Sequence, residues 1–463
     1  MNNNKFILGE VLDVFDNVLS HGWAGPKQVD QYFANCVKRG INAVGWRLSG
    51  AGNFLHHSQI ENSPFSHYPF TSDGNKTPLH KHDFLKLGAE YARKHGIKFL
   101  PFITMCDEGW FPRFRYLSSD VENYYHSENF EFLVQNDDLK KVSGIPNLER
   151  WLEDPSEDEK NKYAGVIPAV EQGQHIPQNK PWGCYSQFAR EHPEYLMKTR
   201  SGIRMGRMLS YAHEAVRQYK MDIFREIASY GCDGFILDYF RWSGDHDVPI
   251  QDSDGVAVTG YDEPSVDLFD RKYGKDAFKT PNNDPAWLKC RAEAGPTRFL
   301  EDLRSEFPDK LLMGMVPLND PLKTAAFADV EDWAERNLLD SILVFNIQSR
   351  CYYDPLIFTS DYPEVVARYN KHLPGEWARM WMDRINGKLP VNFYIWPRYY
   401  DAGDENAGKY RQATQCEVYD QVKLFRQIGA AGAFFYQNYN DSYYGPAKCA
   451  ANNMVNSEDF NKM

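Results

Sequence analysis

The chain has 463 residues, 42% of them apolar and 25% charged, a composition that supports a sizeable buried core and excludes wholesale disorder. Its 64 acidic and 52 basic residues give a net charge of -12 with no long run of either sign, which argues against a nucleic-acid or membrane-surface binder. Eight cysteines without a CxxC pair or regular spacing argue against a zinc cluster or a disulfide scaffold, and they read as buried thiols.

Taken in order, the chain shows short apolar runs that end in polar or aromatic residues and alternate with helical spacing, the pattern of buried parallel strands. The first run is Lys5 to Val11, with Glu10 and Asp13 at its end. Helical spacing from Pro26 to Arg39 then closes at Gly40, a natural helix stop. The second run, Ile41 to Leu48, presents Trp46 and Arg47. A helix through Phe84, Leu87, Ala89, Tyr91 and Ala92 ends at His95-Gly96, and the third run, Ile97 to Thr104, leads to Asp107, Glu108 and Trp110.

A helix from about Ala212 to Tyr230 precedes the most informative stretch, Gly231-Cys232-Asp233-Gly234-Phe235-Ile236-Leu237-Asp238-Tyr239-Phe240-Arg241-Trp242. An apolar run stops there at a carboxylate, and aromatic and cationic residues follow. The fifth run is Leu311 to Pro317, with Asn319 and Asp320 beyond. The sixth, Ser341 to Phe345, opens onto Asn346 and Gln348. The seventh, Val391 to Trp396, opens onto Arg398, Tyr399, Tyr400 and Asp401, and the eighth, Ala433 to Tyr436, onto Gln437, Asn438 and Tyr439.

Eight alternations predict an α/β fold, a (β/α)8 TIM barrel whose strand C-termini share one face. A doubly wound open sheet is the alternative. The spacing predicts one barrel over residues 1–445, with insertions at 105–211 after strand 3 and 243–285 after strand 4, and a C-terminal extension at 446–463. No stretch approaches a transmembrane span, and the start carries no signal-peptide pattern. The sequence as given therefore reads as cytoplasmic, or as periplasmic or secreted if a targeting segment has been removed; it gives no oligomeric state.

Aromatic residues reach 15%, and many stand beside Asp, Asn, Gln or Arg. Flat rings next to hydrogen-bonding groups suit sugars, which have an apolar face and a polar rim. Cleaving a glycosidic bond needs two carboxylates. Asp238 is the predicted nucleophile, with Arg241 to hold it ionised, and Asp320 or Asp401 is the predicted acid/base. Trp46, Trp110, Trp242, Trp396, Tyr399 and Tyr439 are expected as sugar platforms. Glu10, Arg47, Asp107, Arg241, Asn346, Arg398, Gln437 and Asn438 are expected as polar contacts. The arginines suit an acidic or sulfated sugar, or equally an internal ion-pair network. No metal or other cofactor is expected: Asp245-His246-Asp247 and Asp252-Ser253-Asp254-Gly255 hold too little of a coordination pattern and read as solvated loop. GxSxG, P-loop and GxGxxG motifs are absent from the sequence.

Three segments, Arg190-Glu191-His192-Pro193-Glu194-Tyr195-Leu196, Leu209-Ser210-Tyr211-Ala212-His213-Glu214-Ala215-Val216-Arg217-Gln218-Tyr219 and Asp233-Gly234-Phe235-Ile236-Leu237-Asp238-Tyr239, resemble motifs of the glycoside-hydrolase-like family 10 proteins. The resemblance covers roughly residues 90 to 242. It implies a glycosidase-type (β/α)8 barrel acting on polysaccharide or peptidoglycan glycan, with Asp238 in the active site. The chain departs from it at Tyr239, where many relatives carry a second Asp, and at Ala212-His213, where Asn-Pro is common. The function expected is a retaining glycoside hydrolase cleaving an oligo- or polysaccharide. The alternatives are a catalytically inactive carbohydrate-binding barrel and a metal-dependent polysaccharide hydrolase or lyase using Asp245, His246 and Asp247.

Overall fold

The computed structural model describes residues 6–14, 25–50, 53–54, 56–60, 82–106, 108, 186, 188–189, 192–200, 204–242, 256–318, 320–345, 374–395, 398–400, 410–412 and 415–436. The strands in chain order are β1 (Ile7–Asp13), β2 (Ala43–Arg47), β3 (Ser49–Gly50), β4 (Asn53–Phe54), β5 (Lys98–Cys106), β6 (Leu196–Lys198), β7 (Arg204–Leu209), β8 (Gly234–Trp242), β9 (Leu311–Pro317), β10 (Ser341–Phe345), β11 (Val391–Ile395), β12 (Arg398–Tyr400), β13 (Tyr410–Gln412) and β14 (Gly432–Tyr436). The helices are α1 (Pro26–Lys38), α2 (Phe84–His95), α3 (Glu214–Ala228), α4 (Glu263–Tyr273), α5 (Pro285–Ala292), α6 (Arg298–Glu306), α7 (Val330–Glu335), α8 (Pro374–Ile385) and α9 (Gln415–Gln427). Parallel pairing closes β1, β2, β5, β8, β9, β10, β11 and β14 into a barrel. This is the predicted (β/α)8 barrel. The strand carrying Asp238 runs five residues beyond its apolar run, to Trp242.

Local sequence explains the helices around the barrel. Val29, Tyr32, Phe33 and Cys36 recur at helical spacing and are the buried side of α1, which starts with Pro26 in its first turn. The α2 helix begins at Asp83, whose side chain accepts from the Lys86 amide at 2.9 Å, and ends at Gly96 with φ 68°. Cys36, Cys232 and Cys290 are buried free thiols, and Cys106 is buried as well.

Side chains on the barrel strands alternate between two cores. Leu8, Leu12, Val44, Trp46, Phe99, Phe235, Leu237 and Tyr239 belong to the larger outer core, packed against the helices. Val11, Ala43, Leu100, Phe102, Ile236, Met313, Met315, Leu343, Phe345, Tyr394 and Phe434 fill the barrel interior. Glycine makes this filling possible: a Cβ on Gly9 would lie 2.3 Å from the Phe434 ring, and one on Gly45 would lie 2.7 Å from Ile236 Cδ1. The inward row of each strand is thereby fixed.

The N-terminal rim repeats one device. Asn42, just before β2, accepts from the Leu8 amide at 3.2 Å; Asp233, before β8, accepts from the Phe99 amide at 2.7 Å; Asp340, before β10, accepts from the Leu312 amide at 2.7 Å. Each side chain satisfies a backbone donor at the start of the preceding barrel strand.

Two excursions from the barrel interlock. The β6–β7 hairpin, after β5, meets the segment leading into α4, after β8: Thr199 bridges Thr259, and the Tyr261 amide donates to the Lys198 carbonyl at 3.0 Å. Beneath this seam a small separate core collects Tyr261, Phe269, Ala277, Trp287 and Cys290. Asp262 lies in the seam, 1% exposed, and accepts from the Lys198 amide at 2.9 Å. Burial pushes its carboxyl up to about 7, against the opposing hydrogen bonds from Ser210 and Lys198. A raised acid stabilises the fold below the ordinary carboxylate range and loses that contribution as pH rises toward 7. The stability of wild type relative to Asp262→Asn should therefore fall with rising pH, by up to about 1.4 kcal/mol per unit, and level off above about pH 7. Urea unfolding of both proteins from pH 4.5 to 8.5 checks this; a pH-independent difference would contradict the account.

Candidate functional site

Counting up the inward rows from the apolar filling identifies the residues that face the barrel mouth. Asp13 stands two beyond Val11, Arg47 two beyond Gly45, Thr104 two beyond Phe102, and Asp238 two beyond Ile236. They are neighbours in register: Asp13 pairs with Arg47 across β1 and β2, Arg47 with Phe102 across β2 and β5, and Thr104 with Asp238 across β5 and β8. Asp238 is 0% exposed, Asp13 and Thr104 are 2% exposed, and the Arg47 guanidinium forms an ion pair with Asp13. Two carboxylates, a guanidinium and a hydroxyl thus come next on the inward rows at the C-terminal ends of four adjacent strands.

The ladder changes immediately above Asp238. From Thr104 to Cys106 β5 advances two residues, while β8 advances four, from Asp238 to Trp242. Such a bulge re-aims the chain at barrel rims and beside active sites. Tyr239, at the position where a second Asp is common in the resembled family, faces outward against Trp333 at 5.0 Å, and burial drives its phenol well up.

Other predicted contacts lie elsewhere. Glu10 is fully buried on the helix side of β1 and pairs with Arg39, beyond the end of α1, at 2.8 Å. Trp46 is also fully buried, stacked on Phe33 at 5.6 Å and packed on Phe99 at 5.9 Å, so it cements α1 to the barrel and offers no face to a ligand. Asp320 caps a short 3-10 turn and accepts from Arg384 Nη2 at 2.9 Å, which ties it to α8. The backbones of Arg241 and Trp242 end β8, and those of Arg398 and Tyr399 lie in β12, paired antiparallel with β13. Asp107, Trp110, Asn346, Trp396, Asp401, Gln437 and Asn438 lie outside the described residues, as do Asp245, His246 and Asp247.

Sequence reading missed Thr104 and gave Asp13 no role. The signal for Asp13 was parity: Ile7, Gly9, Val11 and Asp13 share one face of a strand. Glu108 is 1% exposed and forms a buried ion pair with Lys220 of α3; its carbonyl accepts from the Ser186 amide at 2.8 Å. Among the described residues no cluster of three or more His, Cys, Asp or Glu side chains could hold a metal ion, and no helix is long and apolar enough to cross a membrane. An open groove of about 1040 Å³ lies along α2 and the end of α3, lined by His57, Asp83, Lys86, Arg93 and Tyr230, and it includes none of the mouth residues.

No protein-family model and no curated protein matches the chain. Among solved structures it is similar to the PgaB (BpsB) glycoside hydrolase domain from Bordetella bronchiseptica, with 10% identity over 98% of this chain and 99% of that one, and a TM-score of 0.49. It is also similar to alpha-L-fucosidase isoenzyme 2 from Paenibacillus thiaminolyticus, with 10% identity, 97% and 48% of the two chains covered, and a TM-score of 0.48. The catalytic domain of beta-amylase from Paenibacillus polymyxa is a third, with 9% identity, 99% and 96% covered, and a TM-score of 0.43. The barrel itself rests on the strand pairing.

The geometry of Trp46 gives a direct test of its structural role. Trp46→Ala should cost about 3–5 kcal/mol of stability through the cavity it leaves. A denaturant midpoint close to wild type would contradict the packing described.

Proposed function

We propose that this protein is a retaining glycoside hydrolase acting on an oligo- or polysaccharide, with Asp238 as the nucleophile. The observation that carries the reading is the place of Asp238: an inward-facing, fully buried carboxylate on the fourth barrel strand, one step above the apolar filling and at the face where barrel enzymes hold their chemistry. In the first step a carboxylate oxygen of Asp238 bonds to the anomeric carbon as the bond from that carbon to the leaving oxygen breaks, and an acid gives its proton to the leaving oxygen. Water then attacks the glycosyl ester, transfers a proton to the same second carboxylate, and frees Asp238.

Of the two candidates for that acid, Asp320 is held by Arg384 and by the turn it caps. Asp401, which the sequence puts shortly after the seventh strand, is the acid we favour. No cofactor enters either step.

The test is a screen of neutral, acidic and sulfated polysaccharides for released reducing ends, with the anomer of the first product read by NMR. Retention of configuration is expected. Asp238→Asn should lower turnover at least 10³-fold at an unchanged melting temperature, because a neutral carboxamide replaces the anionic nucleophile. Asp401→Asn should lose turnover on natural substrates, and on aryl glycosides whose leaving group needs no proton it should keep the first step as a burst of released phenol followed by slow turnover, because the second step has lost its base. Full activity in Asp238→Asn would overturn the assignment.

A further inference from the structure

The seam between the excursions after β5 and β8 is narrow. Its backbone contacts among the described residues are the Thr199–Thr259 bridge and the bond from the Tyr261 amide to the Lys198 carbonyl. At the surface, Arg200 adds side-chain bonds to the Tyr261 hydroxyl at 3.0 Å and to Asn282 at 3.3 Å. The aromatic residues beneath form a core of their own, apart from both barrel cores. A contact of this kind can part locally, because few bonds and none of the main core are given up.

Asp262 closes the seam from within. It precedes α4 and accepts from the Lys198 amide and the Ser210 hydroxyl, so it joins the segment after β8 to β6 and to the residue that follows β7. Among the described residues it has no ion-pair partner, and Lys198 Nζ lies 3.9 Å from Glu263 instead. A buried carboxyl in this position is held neutral, and ionising it in place costs more than ionising it in an opened seam. His213, just before α3, faces the same charges; burial and Lys198 hold its imidazole down, so where opening exposes it, it favours opening as pH falls, the reverse of Asp262. We propose that Asp262 is a proton-operated latch: with its proton it holds the two excursions together, and without it the seam opens while the barrel stays folded. The proposal stands apart from the glycosidase reading. It makes the contact between the excursions that follow β5 and β8, the strands of Thr104 and Asp238, respond to pH.

Hydrogen exchange of the full chain, read by mass spectrometry from pH 5 to 8.5 and corrected for the intrinsic rate of an open amide, tests the latch. The peptides compared cover Lys198, Tyr261 and, as a reference in the barrel, β9. The shut seam holds a proton that the open seam releases between the ordinary carboxylate range and about pH 7, so opening should rise about tenfold per unit in that window and level off above it. Asp262→Asn keeps the acceptor and removes the titration. Protection of the seam in wild type relative to this variant should fall about a hundredfold across the series, with His213 common to both. Ser210→Ala removes a donor that favours the charged form and should move the levelling-off to higher pH. Low urea should lower protection in β9 and leave that of the seam unchanged, because a local opening exposes little surface. A wild-type ratio independent of pH would overturn the latch. So would seam protection equal to that of β9 and falling with it in urea, because opening would then be unfolding of the whole chain. Failure of Asp262→Asn to fold would overturn it as well, since a neutral side chain of the same shape must serve where the neutral acid does.

Discussion

Everything at the mouth of this barrel depends on how its interior is filled. A closed ring of eight parallel strands points every second side chain inward, and those side chains must occupy the lumen without a void. Phe434 lies where a Cβ on Gly9 would be, and Val11 and Ile236 close over Gly45. The plug cannot shift without clashing, so it fixes the rotation of each strand. The residue two steps beyond the plug is consequently presented to the mouth whatever its chemistry.

That dependence explains what could be read in the sequence. Eight apolar runs were visible because buried parallel strands are short, nearly continuous stretches of hydrophobic residues, and Gly40 and Gly96, with φ of 75° and 68°, marked helix ends. The same continuity hid the parity. A strand buried on both faces shows no alternation, so Glu10 and Asp13, or Trp46 and Arg47, look equivalent at the end of a run. On β1 and β2 the inward glycines distinguish them, because the filling excludes a Cβ at Gly9 and Gly45. Asp320 was illegible for another reason. Its partner Arg384 is 64 residues away, and a carboxylate after a strand reads the same whether it faces the mouth or ties a turn to a helix.

The two ends of the barrel use carboxylates and amides differently. At the N-terminal rim, Asn42, Asp233 and Asp340 accept from backbone amides of neighbouring strands, a local bond that sets register. At the C-terminal face, Asp13 and Asp238 lie in a row of side chains, and the β8 bulge lets the chain leave the ladder just above. The seam around Asp262 joins the excursions after β5 and β8. Stability and site geometry are thus held by separate sets of polar residues, as barrel enzymes generally arrange them.

Like the more deeply buried Glu10–Arg39 and Glu108–Lys220 pairs, the Asp13–Arg47 pair departs from what stability alone would select. Burying an ion pair forfeits hydration that its own attraction barely recovers, and apolar side chains of similar volume are often as stable or more so. Apolar residues at these two positions would extend the filling by a layer and raise the floor of the mouth toward Asp238. Retaining charge there keeps the floor one step lower and places Asp238 in a polar layer instead of an apolar one.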